Sequence, residues 1–357
     1  MLAVTTAQIG SSGASIALAW SDAIKEKTGM SIRIVPSGGD PAKMMPLVSG
    51  EADMTLVTAA TGFCVSHGLD YFGREEWGPQ PLRVVWQGRV NLGLMTRADA
   101  NIRTLADLKG KRCARLPASA TMEAVYAGIF AFAGITWDDV TPVIVPGYGA
   151  GWRGVIEGTI DFFTSSFSSA LAFELEAKRG VFWVPLPAAD KEGWERYRKY
   201  CPWFSPTLVT RGAGVSPDKP VEAMVYPYPV YALPTLDPDI AYAVTKALWE
   251  SHEMYEEKFP DLPFWTNEVH SKYQRLSQPY HEGTVRLMKE KGVWTAEMEA
   301  WQKAQIAKQE GRAKAWVEAK AAAAKEKISL TKAEWWGFYQ FWHTWLIDHD
   351  LVSYPTE

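Results

Sequence analysis

Four short runs of hydroxyl and small residues are the places where this chain could do chemistry. They are Gly10-Ser11-Ser12-Gly13, Thr58-Ala59-Ala60-Thr61, Pro117-Ala118-Ser119-Ala120-Thr121 and Thr164-Ser165-Ser166-Phe167-Ser168-Ser169. No acid or base lies within any of them, so the hydroxyls suit hydrogen bonding to a ligand better than covalent attack. A Gly-rich turn ahead of a helix exposes backbone N–H groups at the positive end of the helix dipole, where a carboxylate or phosphate is favoured. Gly10 to Gly13 is equally readable as a plain turn with a helix cap. It is neither a Walker loop, since no GK[ST] follows, nor GxGxxG. Arg89, and Arg153 in the run that starts at Tyr148-Gly149-Ala150-Gly151-Trp152, could each clamp a carboxylate bidentately or simply pair at the surface.

Other chemistries have little support. The six histidines, His67, His252, His270, His281, His343 and His349, form no HxH or HExxH and pair with no nearby cysteine. No GxSxG elbow exists, and Cys113 sits within a strand-like run without an adjacent base. Cys64, Cys113 and Cys201 are far apart and outside any CxxC, which favours three buried thiols over a disulfide framework. No metal or cofactor is implied.

The elements that must position these loops alternate in type. Strand-like runs at Leu2 to Ala7, Ser31 to Val35 and Met54 to Val57 are separated by helical patterns at Ser15 to Lys27 and Pro41 to Ser49, which describes βαβ units on a parallel sheet. A second such unit runs from Val90 to Thr96, through Thr104 to Lys111, Arg112 to Leu116, Met122 to Ala133, Val143 to Val145 and Trp152 to Glu157, to Asp161–Thr164. The four polar runs all fall at the C-terminal ends of predicted strands, where open α/β sheets bind ligands. Residues 188–220 read as irregular, and Met224 to Leu233 as a crossover strand. Helices are expected over Asp239 to Glu256, Tyr280 to Lys291 and Thr295 to Glu310, then along an Ala/Lys-rich stretch to about Glu326 and an aromatic segment from Glu334 to Leu346.

With 357 residues the chain is long enough for two core-bearing lobes. The net charge of −4 and the absence of a basic run argue against nucleic acid as a partner. No stretch of eighteen apolar residues exists, so no membrane span is expected.

An ordered set of segments resembles the TAXI-type solute-binding proteins of tripartite ATP-independent periplasmic (TRAP) transporters. It comprises Pro36-Ser37-Gly38-Gly39, Ser49-Gly50-Glu51-Ala52-Asp53, Leu105-Ala106-Asp107-Leu108-Lys109-Gly110-Lys111-Arg112, Glu157-Gly158-Thr159-Ile160-Asp161-Phe162-Phe163 and Tyr200-Cys201-Pro202-Trp203-Phe204, and it covers about residues 1 to 260. The resemblance implies an α/β type II periplasmic binding fold with two lobes joined by crossover strands near Trp86 to Val90 and Val225 to Val230. Lobe I would be residues 1–88 and 227–310, lobe II 89–226, and 311–357 a helical, aromatic-rich extension. It implies no enzyme, but a receptor that closes on a small organic acid (an amino acid, dicarboxylate or aromatic acid) and delivers it to a TRAP permease. By position, the pocket should involve Ser11, Ser12, Thr58, Ser119, Thr121 and Ser166 to Ser168, with Phe167 among them, and Trp86 where relatives often carry Tyr. Export to the periplasm is then expected, with the signal peptide absent from this sequence, because Met1-Leu2-Ala3-Val4-Thr5 reads directly as a strand. The loop with Ser119 lacks the two glycines that relatives carry, which leaves the cargo open. An enzyme on the same fold, like the synthases of the thiamine pyrimidine, and a ligand-sensing signalling receptor are the alternatives. The terminal aromatic segment either packs over one lobe or presents a docking face.

Overall fold

The computed structural model describes residues 1–74, 76–117, 119–272, 276–328 and 335–353, with the side chains at 120 and 335–340 outside that description. Ala118 and Glu334, both in segments singled out above, therefore lie outside the described residues, as do the side chains of the first half of the aromatic run.

The first half alternates as expected through β1 (Leu2–Ala7), α1 (Ser12–Thr28), β2 (Ile32–Ser37), α2 (Asp40–Val48) and β3 (Met54–Leu56), and adds α3 (Ala59–His67), which the sequence reading lacks. The long β4 (Arg83–Arg97) leads to β5 (Arg112–Arg115), α4 (Ala120–Ala133), β6 (Thr141–Ile144), α5 (Tyr148–Glu157), β7 (Phe162–Ser166), α6 (Ala170–Arg179) and β8 (Val181–Val184). Then follow α7 (Lys191–Arg198), β9 (Ser205–Val209) and the second long strand, β10 (Val221–Ala232). The remainder is helical: α8 (Pro238–Trp249), α9 (His252–Tyr255), α10 (Asn267–His270), α11 (Glu282–Glu290), α12 (Ala296–Lys325) and α13 (Trp335–Asp348).

The sheet order is β2-β1-β3-β10-β4-β7-β5-β6, with β8 also on β4 and β9 on β10. β2, β1 and β3 form one parallel set and β7, β5 and β6 another. Antiparallel β4 and β10 join the two sets. Fifteen residues of β4 span roughly 50 Å at 3.3 Å per residue, long enough to serve both halves. Its first residues pair with β10, Val84 also bridging Tyr280, and residues 92–97 pair with β7 and β8. This is the α/β architecture with a helical C-terminal extension that was expected.

Besides α3, α6 and β8, which it lacks, the sequence reading misses further features. Residues 188–220 hold α7 and β9. Asp190 caps α7, which buries only Trp194 and Tyr197 beside Gly193, too sparse a stripe to stand out among its charges. The helix expected from Asp239 to Glu256 breaks at buried Ser251, and the Tyr255 hydroxyl donates to the Leu248 carbonyl left free by the break, at 3.0 Å. Conversely, α12 runs unbroken for 30 residues. Its Gly311 is a close-packing position, since a Cβ there would lie 2.7 Å from a Leu351 methyl.

The extension lies over the first half. His67, at the end of α3, is its anchor: Nδ1 lies 2.8 Å from the Phe63 carbonyl and Nε2 accepts from the Ser353 N–H at 3.0 Å. That pair of contacts requires a neutral ring with the proton on Nδ1, and burial keeps its pKa well below the usual histidine range. The Trp342 indole donates to the His67 carbonyl at 2.8 Å and meets Trp316 edge-on. All three thiols are unpaired; Cys113 and Cys201 are buried, whereas Cys64, expected buried, is partly exposed. Among the described residues no helix is long and apolar enough to cross a membrane.

Candidate functional site

Each parallel strand ends at a turn that starts a helix, and these turns converge between the two strand sets. Ser11 caps α1 by accepting from the Ala14 N–H, Thr58 caps α3 by accepting from Thr61, and Ser119 caps α4 by accepting from Met122. Between them lies a cleft faced by residues of both strand sets. Ser11, Ser12, Thr58, Thr121, Tyr148 and Ser166 line it, as do Gln8, Lys43, Thr164 and Ser165. Because first-turn residues of α1, α4 and α5 and the cap of α3 face the same space, several positive helix ends point into it. An anionic group is the charge this field favours.

The cation on the wall is Lys43, in the first turn and a half of α2. Its ammonium pairs with Asp40 at 2.7 Å, both side chains almost wholly buried. Asp40 also accepts from the Ser119 hydroxyl across the cleft, and Ser119 lies 3.4 Å from the Tyr148 hydroxyl. The hydroxyls of Thr58, Thr61 and Thr121 lie 3.0 Å from one another, joining the two halves. The Ala170 N–H donates to the Gly10 carbonyl at 3.1 Å. At the rim a Cβ on Gly149 would meet Gln8 at 2.7 Å, so glycine there lets the halves approach closely. These contacts describe a closed cleft.

The remaining predicted residues sit elsewhere. Ser119 and Ser168 stand one step behind the wall; Ser168 bonds to Ser166 at 2.7 Å and donates to Asp261. Phe167 stacks on Trp183 at 3.9 Å and fills the space that Gly93 leaves. Trp86 lies six residues before cleft-lining Leu92 on β4, roughly 20 Å along the strand, and stacks on His270 inside the first half. Arg89 faces away because the register pairs it with Pro227, whose neighbours Tyr226 and Tyr228 face the cleft from the other side of β10. It borders a separate small hollow with Gln87 and Lys272. Arg153 follows Trp152, which lines the cleft, and one step around α5 turns it outward to Glu174 at 3.2 Å. Neither arginine reaches the cleft.

Lys43, Gln8, Leu92, Trp152, Phe204, Tyr226 and Tyr228 were not anticipated. Two signals were present: Pro36 to Asp40 repeats the strand, small loop and helix arrangement, and tyrosines two apart on a strand share a face.

Asp261 braces the site from behind. It accepts from the Asn91 N–H and from Ser166 and Ser168, yet burial holds its carboxyl up at about 6. Between the ordinary aspartate value of about 3.9 and about 6, the folded chain holds a proton that the unfolded chain has released. Stability therefore falls as pH rises through that window, by about 3 kcal/mol from this group, and is flat above it. Asp261→Asn should remove that slope, which urea unfolding of both proteins at a series of pH values between 4 and 7 will show.

Among solved structures, a periplasmic binding protein of an ABC transporter from Brucella ovis with glutathione bound is 13% identical over 71% of this chain and 69% of its own, with a TM-score of 0.45. The periplasmic aliphatic sulphonate binding protein from Escherichia coli is 14% identical over 85% and 82%, with a TM-score of 0.44. The alkanesulfonate-binding protein from Xanthomonas axonopodis pv. citri, bound to MOPS, is 12% identical over 85% and 83%, also at 0.44. The NMT1-like family matches residues 5–292. That match takes in β2 to β10, the second half of β1 and every helix lining the cleft, and by it the chain belongs to the NMT1-like family.

Proposed function

We propose that the chain is an extracytoplasmic solute-binding receptor of the TAXI type. In this reading it closes its two halves on a small organic acid and delivers it, in the periplasm, to a TRAP membrane permease. The single observation that carries the reading is the cleft itself, where helix N-termini from both halves and one lysine face an enclosed space. The segment resemblances from Pro36 to Phe204 support the transporter class. Residues 1–88 with 227–310 would move against 89–226 as rigid lobes, with β4 and β10 as the hinge and 311–357 riding on the first lobe.

Ligand bridging both halves stabilises the closed state, and binding to the folded form alone raises stability by about 4 kcal/mol at a thousand times Kd. A thermal-shift screen of the purified chain against carboxylic acids and amino acids should therefore find at least one that raises Tm at millimolar concentration. If none does while sugars or nucleotides do, the proposal is wrong.

A further inference from the structure

The two walls of the cleft differ in chemistry. On the first half it is polar: Gln8, Ser11, Ser12, Lys43 and Thr58 face the space. Across the cleft, the hydroxyls of Thr121, Thr164, Ser165 and Ser166 stand beside an apolar, aromatic surface of Leu92, Met122, Val125, Trp152 and Phe204, extended by the rings of Tyr226 and Tyr228. Phe204 and Tyr226 are stacked at 4.9 Å, and Tyr148 and Trp152 lie 6.0 Å apart, so the rings form continuous facets. Among the described residues of the wall, Lys43 is the one cation and there is no carboxylate. The two nearby acids are turned to the protein: Asp40 to Lys43 and Ser119, Asp261 to Asn91, Ser166 and Ser168.

From this asymmetry we infer that the ligand is an aryl-substituted or similarly bulky apolar monocarboxylate, its carboxylate on Lys43 and the α1 N-terminus and its apolar body against Trp152, Phe204 and the tyrosines. The inference rests on the receptor reading above and narrows it. A dicarboxylate would place its second charge on the far wall, where the hydroxyls of Thr121, Thr164, Ser165 and Ser166 can donate to it but no cation among the described lining residues meets it. An α-amino acid would bring an ammonium group to a wall that offers it no carboxylate. Aromatic faces and aliphatic side chains gain instead from burying a planar apolar body.

Calorimetric titration of the intact chain with phenylacetate, phenylacetamide, L-phenylalanine and succinate separates the possibilities. Phenylacetate should bind at least tenfold more tightly than each of the other three, a difference of 1.4 kcal/mol. Equal or tighter binding of succinate or L-phenylalanine overturns the monocarboxylate assignment and leaves the receptor reading standing. No binding of any of the four, nor of any other carboxylate, overturns both. The lysine is tested separately. Lys43→Met should reduce the preference for phenylacetate over phenylacetamide toward parity, and the same holds for the doubly substituted Asp40→Asn/Lys43→Met chain should the single variant fail to fold. Full retention of the preference in a folded variant overturns the placement of the carboxylate.

Discussion

Asp40→Asn should destabilise the folded chain by about 3–5 kcal/mol, because it leaves the Lys43 ammonium buried without its counter-charge. The pair is closed at 2.7 Å, with the side chains 5% and 3% exposed in the order Lys43, Asp40, so in the closed cleft little water reaches the ammonium to replace the lost carboxylate. The backbone on which Lys43 sits is also held from below. Its carbonyl accepts from the Thr5 hydroxyl at 2.7 Å, and the Thr5 hydroxyl oxygen also lies 2.7 Å from that of Thr55. Lys43 therefore meets solvent only from the cleft. Removing both charges in Asp40→Asn/Lys43→Met should cost much less than the two single changes together, since no unpaired charge remains. Urea unfolding of the four proteins forms a double-mutant cycle, and a coupling energy near zero would contradict the account.

Gly88→Ala should be the other severe change. Gly88 lies on β4 opposite Tyr228 of β10, and a Cβ added there would clash with the ring of Trp265. Trp265 is completely buried, so its indole has nowhere to move except by displacing the core around it. Overpacking of this kind costs about 1–3 kcal/mol, and a rigid ring and a sheet backbone put this case at the upper end or beyond. Since Tyr228 lines the cleft, the strain reaches the site as well as the fold. Trimming the ring in Gly88→Ala/Trp265→Leu should recover part of the loss relative to Gly88→Ala alone. Thermal unfolding of the variants checks this; wild-type stability in Gly88→Ala would show that β4 can shift away freely.

The site was partly legible in the sequence. Ser11, Ser12, Thr58, Thr121, Tyr148 and Ser166 face the cleft because hydroxyl residues at strand ends cap the following helix, and strand ends of parallel sets point the same way. The charged partners were not legible. Arg89 and Arg153 looked like anion clamps, but Glu174 lies 21 residues from Arg153 in the chain, and the facing of Arg89 depends on the β4–β10 register. Lys43 went unnoticed because its ion partner is one helical turn away, so the pair looks like an ordinary surface i,i+3 contact until the cleft closes over it. Phe204 comes from the irregular stretch, where no local pattern marks a wall, and the spacing of Tyr226 and Tyr228 puts them on one face of the crossover strand without telling which face meets the cleft.

What the sequence by itself determined is most of the alternation of strands and helices through β7, the polar loops at the strand ends, and hence the edge of the sheet at which a ligand would sit. These depend on periodicity and on contacts three or four residues apart, which a linear reading contains. Only the tertiary structure decided which cation serves the cleft, which wall is apolar, and where the C-terminal helices rest. Each of those turns on strand register or on partners far apart in the chain, such as the contacts of His67 with Ser353 and Trp342, and the direction of a side chain follows from that long-range pairing.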